Sequence, residues 1–262
     1  MRTISVDDLV NGRVTTISQL VSARVEGLDL RGASIQSLRL IDCTFDRCVL
    51  DGGTFEDLRA WNTTFSECSF QKAKLRQFSF GGEHSGKFNI FSDCDFSGAD
   101  LRGAATGPAR MVRCRFVDSK LKKVEFNGTR LEDVVFTGVL SEVGFYAHAF
   151  AFPNEPPNTM LRVDFTDAQL QWCDFRGLDL DTLRLPSEQS HVIVRNLPDF
   201  LPRALHRYSE IAPAPGFVAL LRHIEKWRGP HQSIAILGMA ELSELPRVEI
   251  ERLRQLGTVS AI

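Results

Sequence analysis

The 262-residue sequence has little net charge of either sign: 31 basic residues stand against 33 acidic ones, a formal balance of −2. A balance this close to zero leaves no global footprint for nucleic acid or for an anionic membrane surface. Neither direct DNA binding nor membrane attachment is expected. No apolar stretch reaches 18 residues, and the opening MRTISVDDLV lacks an apolar run of the signal-peptide type. The expectation is a soluble, cytoplasmic protein. Catalytic and metal-binding patterns are missing as well. His84, His148, His191, His206, His223 and His231 show no metal spacing and no paired nucleophile, and His223 and Glu225 would point to different faces of one helix. Residues Gly81 to Lys87 follow the phosphate-loop pattern until Phe88 replaces the hydroxyl that would hold magnesium, and no helix follows. No enzymatic activity and no cofactor are expected.

What the sequence does have is a period of five. Val25, Leu30, Ile35, Leu40, Phe45, Leu50, Phe55, Ala60, Phe65, Phe70, Leu75 and Phe80 fall on every fifth position without a miss. With 43% of residues hydrophobic, chance would produce such a run about 4 times in 100,000. A helix would recur at 3.6 and a flat strand at two, so a period of five demands a repeat architecture. A second inward position lies two residues before each centre and is mostly small or thiol-bearing: Ala23, Ala33, Cys43, Cys48, Gly53, Thr63, Cys68 and Ala73. All six cysteines share this phase, Cys94, Cys114 and Cys173 included. Buried free cysteine behaves as a small hydrophobe, so core packing rather than a disulfide or metal site is the expectation.

The simplest geometry turns a corner every five residues and stacks coils of about 20 residues at the ~4.8 Å spacing of paired strands. It puts Phe45 on Phe65, and Leu30 on Leu50 on Phe70. The segments Leu28-Asp-Leu-Arg-Gly32, Cys94-Asp-Phe-Ser-Gly98, Ala99-Asp-Leu-Arg-Gly103 and Cys173-Asp-Phe-Arg-Gly177 resemble the repeat of pentapeptide-repeat proteins. That resemblance, over residues 23 to 185, implies an all-β solenoid, a right-handed quadrilateral β-helix. Leu28, Leu38, Leu58, Phe78, His148, Leu178 and Leu183 stand where the family usually has a small residue. His148 is expected to point inward with a hydrogen-bond partner.

The frame slips after Phe80, resumes from Phe91 to Phe136 with Thr106 as its one polar centre, slips again to Leu140, Phe145 and Phe150, and ends with Met160, Phe165, Leu170, Phe175, Leu180 and Leu185. This makes about eight coils and a rod of roughly 38 Å. Residues 1–24 read as an N-terminal cap, with Ser5 ahead of Asp7 and Asp8 starting a short helix. Loops are expected near 81–90, 104–110 and 151–159, where Gly and Pro interrupt the period. Asp51-Gly52 and Asn127-Gly128 sit in phase and read as corners. Residues 186–262 form an α-helical C-terminal cap or interaction module: His191 to Val194 as an edge strand, with helices over Phe217 to Trp227, Ser233 to Leu242 and Arg247 to Leu256. Phe217, Leu220, Leu221, Ile224 and Trp227 share one face and are candidates for self-association into a homodimer.

Residues 137–185 hold Glu142, Glu155, Asp164, Asp167, Asp174, Asp179 and Asp181 against only Arg162, Arg176 and Arg184. These acids are the candidate protein-binding residues. The resemblance extends to pentapeptide-repeat proteins that imitate duplex DNA and protect a type II topoisomerase, DNA gyrase, from its poisons. That role implies a protein partner and a dimeric rod. A duplex of such length carries roughly 22 charges, far more than this surplus of four acids. The other expectation is a protein-interaction scaffold, such as an adaptor, immunity or regulatory protein, without DNA mimicry.

Overall fold

The computed structural model describes residues 2–11, 17–105, 107–152, 154–211 and 214–258. The period of five becomes a β-solenoid with four sides. On the side begun by Val25, the register runs Val25, Phe45, Phe65, Phe91, Met111, Leu131 through six parallel strands. On the next side, bridges and one strand pair, Arg115 with Val135, connect Asp29, Val49, Ser69, Asp95, Arg115, Val135, Asp164 and Arg184. Regular strand pairing makes about six turns, slightly fewer than the eight coils expected, and isolated bridges continue the register beyond it. Thr106 lies outside the described residues.

The central residues fill the interior as ladders of rings. Phe45, Phe65 and Phe91 stack with centroids 5.2 and 5.0 Å apart, and Phe70, Phe96, Phe116, Phe136 and Phe165 form a second column. The five cysteines Cys43, Cys48, Cys68, Cys94 and Cys114 are buried and free; Cys173 is half-buried and free. Each thiol donates to a backbone carbonyl of the coil below, as Cys68 Sγ does to Phe45 O. Burial pushes the Cys43, Cys94 and Cys173 thiols up, Cys173 to about 12. These are inert packing groups.

The corners have a backbone signature that hydropathy does not carry. The second residue after most centres is left-handed: Ser22, Gly27, Gly32, Ser37, Asp42, Arg47 and Gly52 open a series that continues along the coils. Each non-glycine corner costs about 1–2 kcal/mol, offset by hydrogen bonds to the next coil such as Arg47 N to Ser66 O at 2.9 Å. Gly52 and Gly128 are both such corners.

At the start, Ser5 caps α1 (Val6–Val10) in a reciprocal box with Asp8, and Leu9 and Ile4 enter the solenoid core. After Leu185 the described residues form an antiparallel pair, His191–Val194 with Ala235–Gly238, and three α-helices: α2 (Leu197–His206), α3 (Pro215–Trp227) and α4 (Arg247–Thr258). The segment from Ser233, read as a helix, is the second strand of that pair instead. All four residues Ala235–Gly238 are buried. A segment covered on both faces reads as a continuous apolar run, which periodicity alone cannot tell from a helix.

Among the described residues, Phe150 and His148 do not take the inward places expected of them. Phe150 is 66% exposed and His148 is exposed. The chain leaves the coil after Ala147 and rejoins it at Asn158, whose N–H bonds Ala147 O at 2.7 Å, so the spacing from Phe145 to Phe150 is coincidental.

Candidate protein-binding groove and the capped end

Two insertions leave the solenoid at the same corner. Phe91 stacks over Phe65 after 26 residues rather than 20, so six extra residues precede it. Leu161, bridged to Glu132, follows ten extra residues, 148–157, balanced by one residue fewer between Phe136 and Leu140. Residues 104–109 add none, since Phe91 and Met111 remain 20 apart. The first loop turns at a His84–Lys87 bridge and the second at Ala149–Phe152. They meet where Phe88 packs edge-on against Phe152, centroids 5.5 Å apart.

Beneath them lies a groove of about 290 Å³, continued by a recess of about 430 Å³. Its floor is the outward row Ile90, Arg110, Arg130 from three successive coils, and Pro156 and Phe88 wall it. Arg110 pairs with Glu132 at 3.2 Å. Among the described residues no carboxylate lies within 4 Å of Arg130 or Lys87. Gly128 borders the groove with φ +68°, and a Cβ there would fall 2.7 Å from the Ala149 backbone N, so glycine lets the second loop depart close to the coil.

Each insertion is closed by a buried asparagine. Asn89 accepts from Thr63 N at 2.8 Å and donates to Ala60 O and Phe80 O, both at 2.8 Å. Asn158 accepts from Met160 N at 2.9 Å and Leu131 N at 3.3 Å. Both occupy the inward position two residues before a centre. A large polar side chain in a slot otherwise small or apolar was the signal available in the sequence.

The candidate acids fall on different sides of the last coils. Glu142 lies 3.3 Å from Lys122 and 3.5 Å from Lys123; Asp164 pairs with Arg184, and Asp174 with Arg176 and His223. Asp181 accepts from Ser233. Asp167 and Asp179 are exposed and Glu155 is half-buried on the second loop. Of the candidate self-association residues, Phe217 and Leu221 are fully enclosed in the C-terminal module's own core. Leu220 and Ile224 are half-buried, and Trp227 lies beside Arg176, whose guanidinium sits 4.8 Å from its ring and 4.5 Å from that of Tyr146.

The module covers the open end of the solenoid. Ile193, Ile234 and Ile236 join the solenoid core. Amides of the last coil, which would otherwise invite edge pairing, find acceptors: Leu170 N bonds His191 Nε2 at 3.0 Å, Trp172 N bonds Glu241 Oε1 at 2.6 Å, and Gly177 N bonds Trp227 O at 3.1 Å. His191 accepts at Nε2 and must therefore be neutral. Its burial lowers its pKa below the usual histidine value, so between the two values the unfolded chain binds more protons than the folded one. The stabilisation is complete above about pH 6.5 and is lost as pH falls through the folded value. Glu241, pushed up by burial, acts in the opposite sense. The urea midpoint is expected to fall between pH 7.5 and 5.5, and His191→Gln, which keeps an acceptor, should flatten that fall; an equally steep fall in the variant would remove His191 from the account.

Four ladders with five-residue sides define a β-solenoid consistent with the pentapeptide-repeat family. No family model and no curated protein matches the chain. Solved structures similar to it include QnrB1, described as a plasmid-mediated fluoroquinolone resistance protein, at 15% identity over 64% of this chain and 84% of that one, with a TM-score of 0.40. Another is HetL, described as a pentapeptide-repeat protein involved in heterocyst differentiation regulation, from the cyanobacterium Nostoc sp. strain PCC 7120. It is 14% identical over 69% and 92% of the two chains, with a TM-score of 0.28. Likeness at this level carries no argument about function.

Proposed function

We propose that this protein is a non-enzymatic protein-binding scaffold whose partner is read by the groove beneath the two loops. The observation that carries this reading is the convergence of both insertions on one corner, over Ile90, Arg110 and Arg130. Loops held by a rigid framework are recurrent binding elements. Ile90 on the floor and Phe88 and Pro156 on the walls, next to Arg130 and Lys87, suit a segment that presents an apolar side chain next to a carboxylate. Chemical crosslinking in the native cell should capture a partner with the wild-type chain, and Arg130→Glu with Lys87→Glu should abolish capture while leaving the circular dichroism spectrum unchanged. Undiminished capture by that double variant would place the interface elsewhere.

The narrower reading, a DNA-mimicking protector of DNA gyrase, rests on Glu142, Glu155, Asp164, Asp167, Asp174, Asp179 and Asp181. Ion pairing at Glu142, Asp164 and Asp174 and their spread over several sides weigh against it. Titration into a gyrase supercoiling reaction, with and without a topoisomerase poison, separates the two. Unchanged supercoiling and cleavage at micromolar protein fit the scaffold alone. Self-association through the module is not part of this proposal, since Phe217 and Leu221 are enclosed.

A further inference from the structure

A second cavity, of about 370 Å³, lies at the joint between the last coil and the C-terminal module. Its volume is within the ordinary range of small-molecule sites. Trp172, Phe175, Leu220, Ile224 and Leu237 supply apolar walls. Glu241 and Gln232 also line it, 5% and 3% exposed, and each has an enclosed oxygen, Glu241 Oε2 and Gln232 Oε1, that accepts no hydrogen bond. The other polar atoms of these side chains are engaged: Glu241 Oε1 accepts from Trp172 N, and Gln232 Nε2 donates to Ile234 O at 3.2 Å. Asp174, a third acceptor on the lining, is held by Arg176 and His223 Nε2.

Native proteins rarely leave buried acceptors unmet, and each one costs free energy. The unmet demand in this cavity is for donors, and it sits beside a carboxyl in an apolar enclosure. A ligand carboxylate would add acceptors and negative charge where both are already in surplus. A single water would supply donors but leave the aromatic and aliphatic walls wetted.

We infer that this joint is a binding site for a small organic amine, a molecule with an apolar body and a primary ammonium head, the head directed to Glu241 and Gln232 and the body against Trp172, Phe175 and Ile224. This inference is independent of the groove on the solenoid side.

The test is isothermal titration of the full chain with 4-phenylbutylamine, with 4-phenylbutyrate and 4-phenylbutan-1-ol as controls of matched body and altered head. Saturable one-site binding of the amine is expected, at least about tenfold tighter than the butyrate. Ala219 lies exposed on α3 and lines the cavity, so Ala219→Trp should fill the space without disturbing the core and weaken the amine at least about tenfold. Glu241→Gln, which preserves the acceptor for Trp172 N, should weaken the amine about tenfold and the alcohol less than about twofold. Absence of saturable heat with the amine, butyrate binding as tight as the amine's, or undiminished binding by a folded Ala219→Trp chain would each overturn the assignment.

Discussion

Phe116→Ala is expected to cost about 3–5 kcal/mol of folding stability, the range for removing a fully buried ring. Phe116 has no exposed surface and is packed on three sides by rings: Phe96 at 4.9 Å and Phe136 at 5.0 Å, both nearly parallel, and Phe126 edge-on at 5.9 Å. The cavity left by truncation cannot collapse readily, because the coils above and below are fixed by backbone bonds such as Arg115 N to Cys94 O and Val135 N to Cys114 O, both 3.0 Å. In a solenoid each coil touches only its neighbours, so a central lesion breaks two interfaces at once. Equilibrium urea unfolding followed by circular dichroism measures the loss. Phe150→Ala, at a position 66% exposed, should stay within about 0.5 kcal/mol. If the two variants proved equally mild, the phenylalanine column would not be what holds the coils together.

That contrast also marks how far the sequence can be read. Phe116 and Phe150 both lie in fifth-position runs and are chemically the same residue. What separates them is whether the backbone is still laddered to the previous coil, and hydropathy is blind to that. The period identified the four-sided solenoid and the buried cysteines, because an interior two residues deep per side repeats its demand at every coil. It fails where the demand is met from elsewhere. Ser233–Leu242 looked helical because the strand Ala235–Gly238 is covered on both faces, leaving no alternation to detect. Phe217 and Leu221 were legible as an apolar helix face, but the partner of that face is the module's own core, a fact of tertiary arrangement. The acids of the last coils were countable, whereas much of their pairing is with residues of other coils or of the C-terminal module, as with Glu142 and Lys122 or Asp174 and His223. The groove itself became visible only once both insertions were traced to one corner.

Asn89→Ala is expected to cost at least about 3 kcal/mol, because it strands three buried backbone groups at once, at about 1 kcal/mol or more each. The amide side chain has no exposed surface, and it bonds Thr63 N, Ala60 O and Phe80 O at the point where six inserted residues interrupt the coil. No backbone group of the insertion takes over these bonds, so the side chain acts as the missing rung. Asn89→Asp should do no better than alanine: one oxygen still accepts from Thr63 N, but the other turns against two carbonyls, and a buried carboxylate without a cation is strongly disfavoured. Two measurements check the account. Urea unfolding gives the global cost, and hydrogen exchange of the Thr63 amide should accelerate more than about tenfold beyond what that global loss explains, since its acceptor is removed locally. The same variant should weaken partner capture through the groove, because Asn89 immediately precedes Ile90 on its floor and fixes the return of the loop carrying Lys87. A stability loss within about 0.5 kcal/mol, the range of an ordinary surface change, would mean that the coil closes over the insertion without Asn89, and the rigid base proposed for the groove would then have to come from the stacked strands alone.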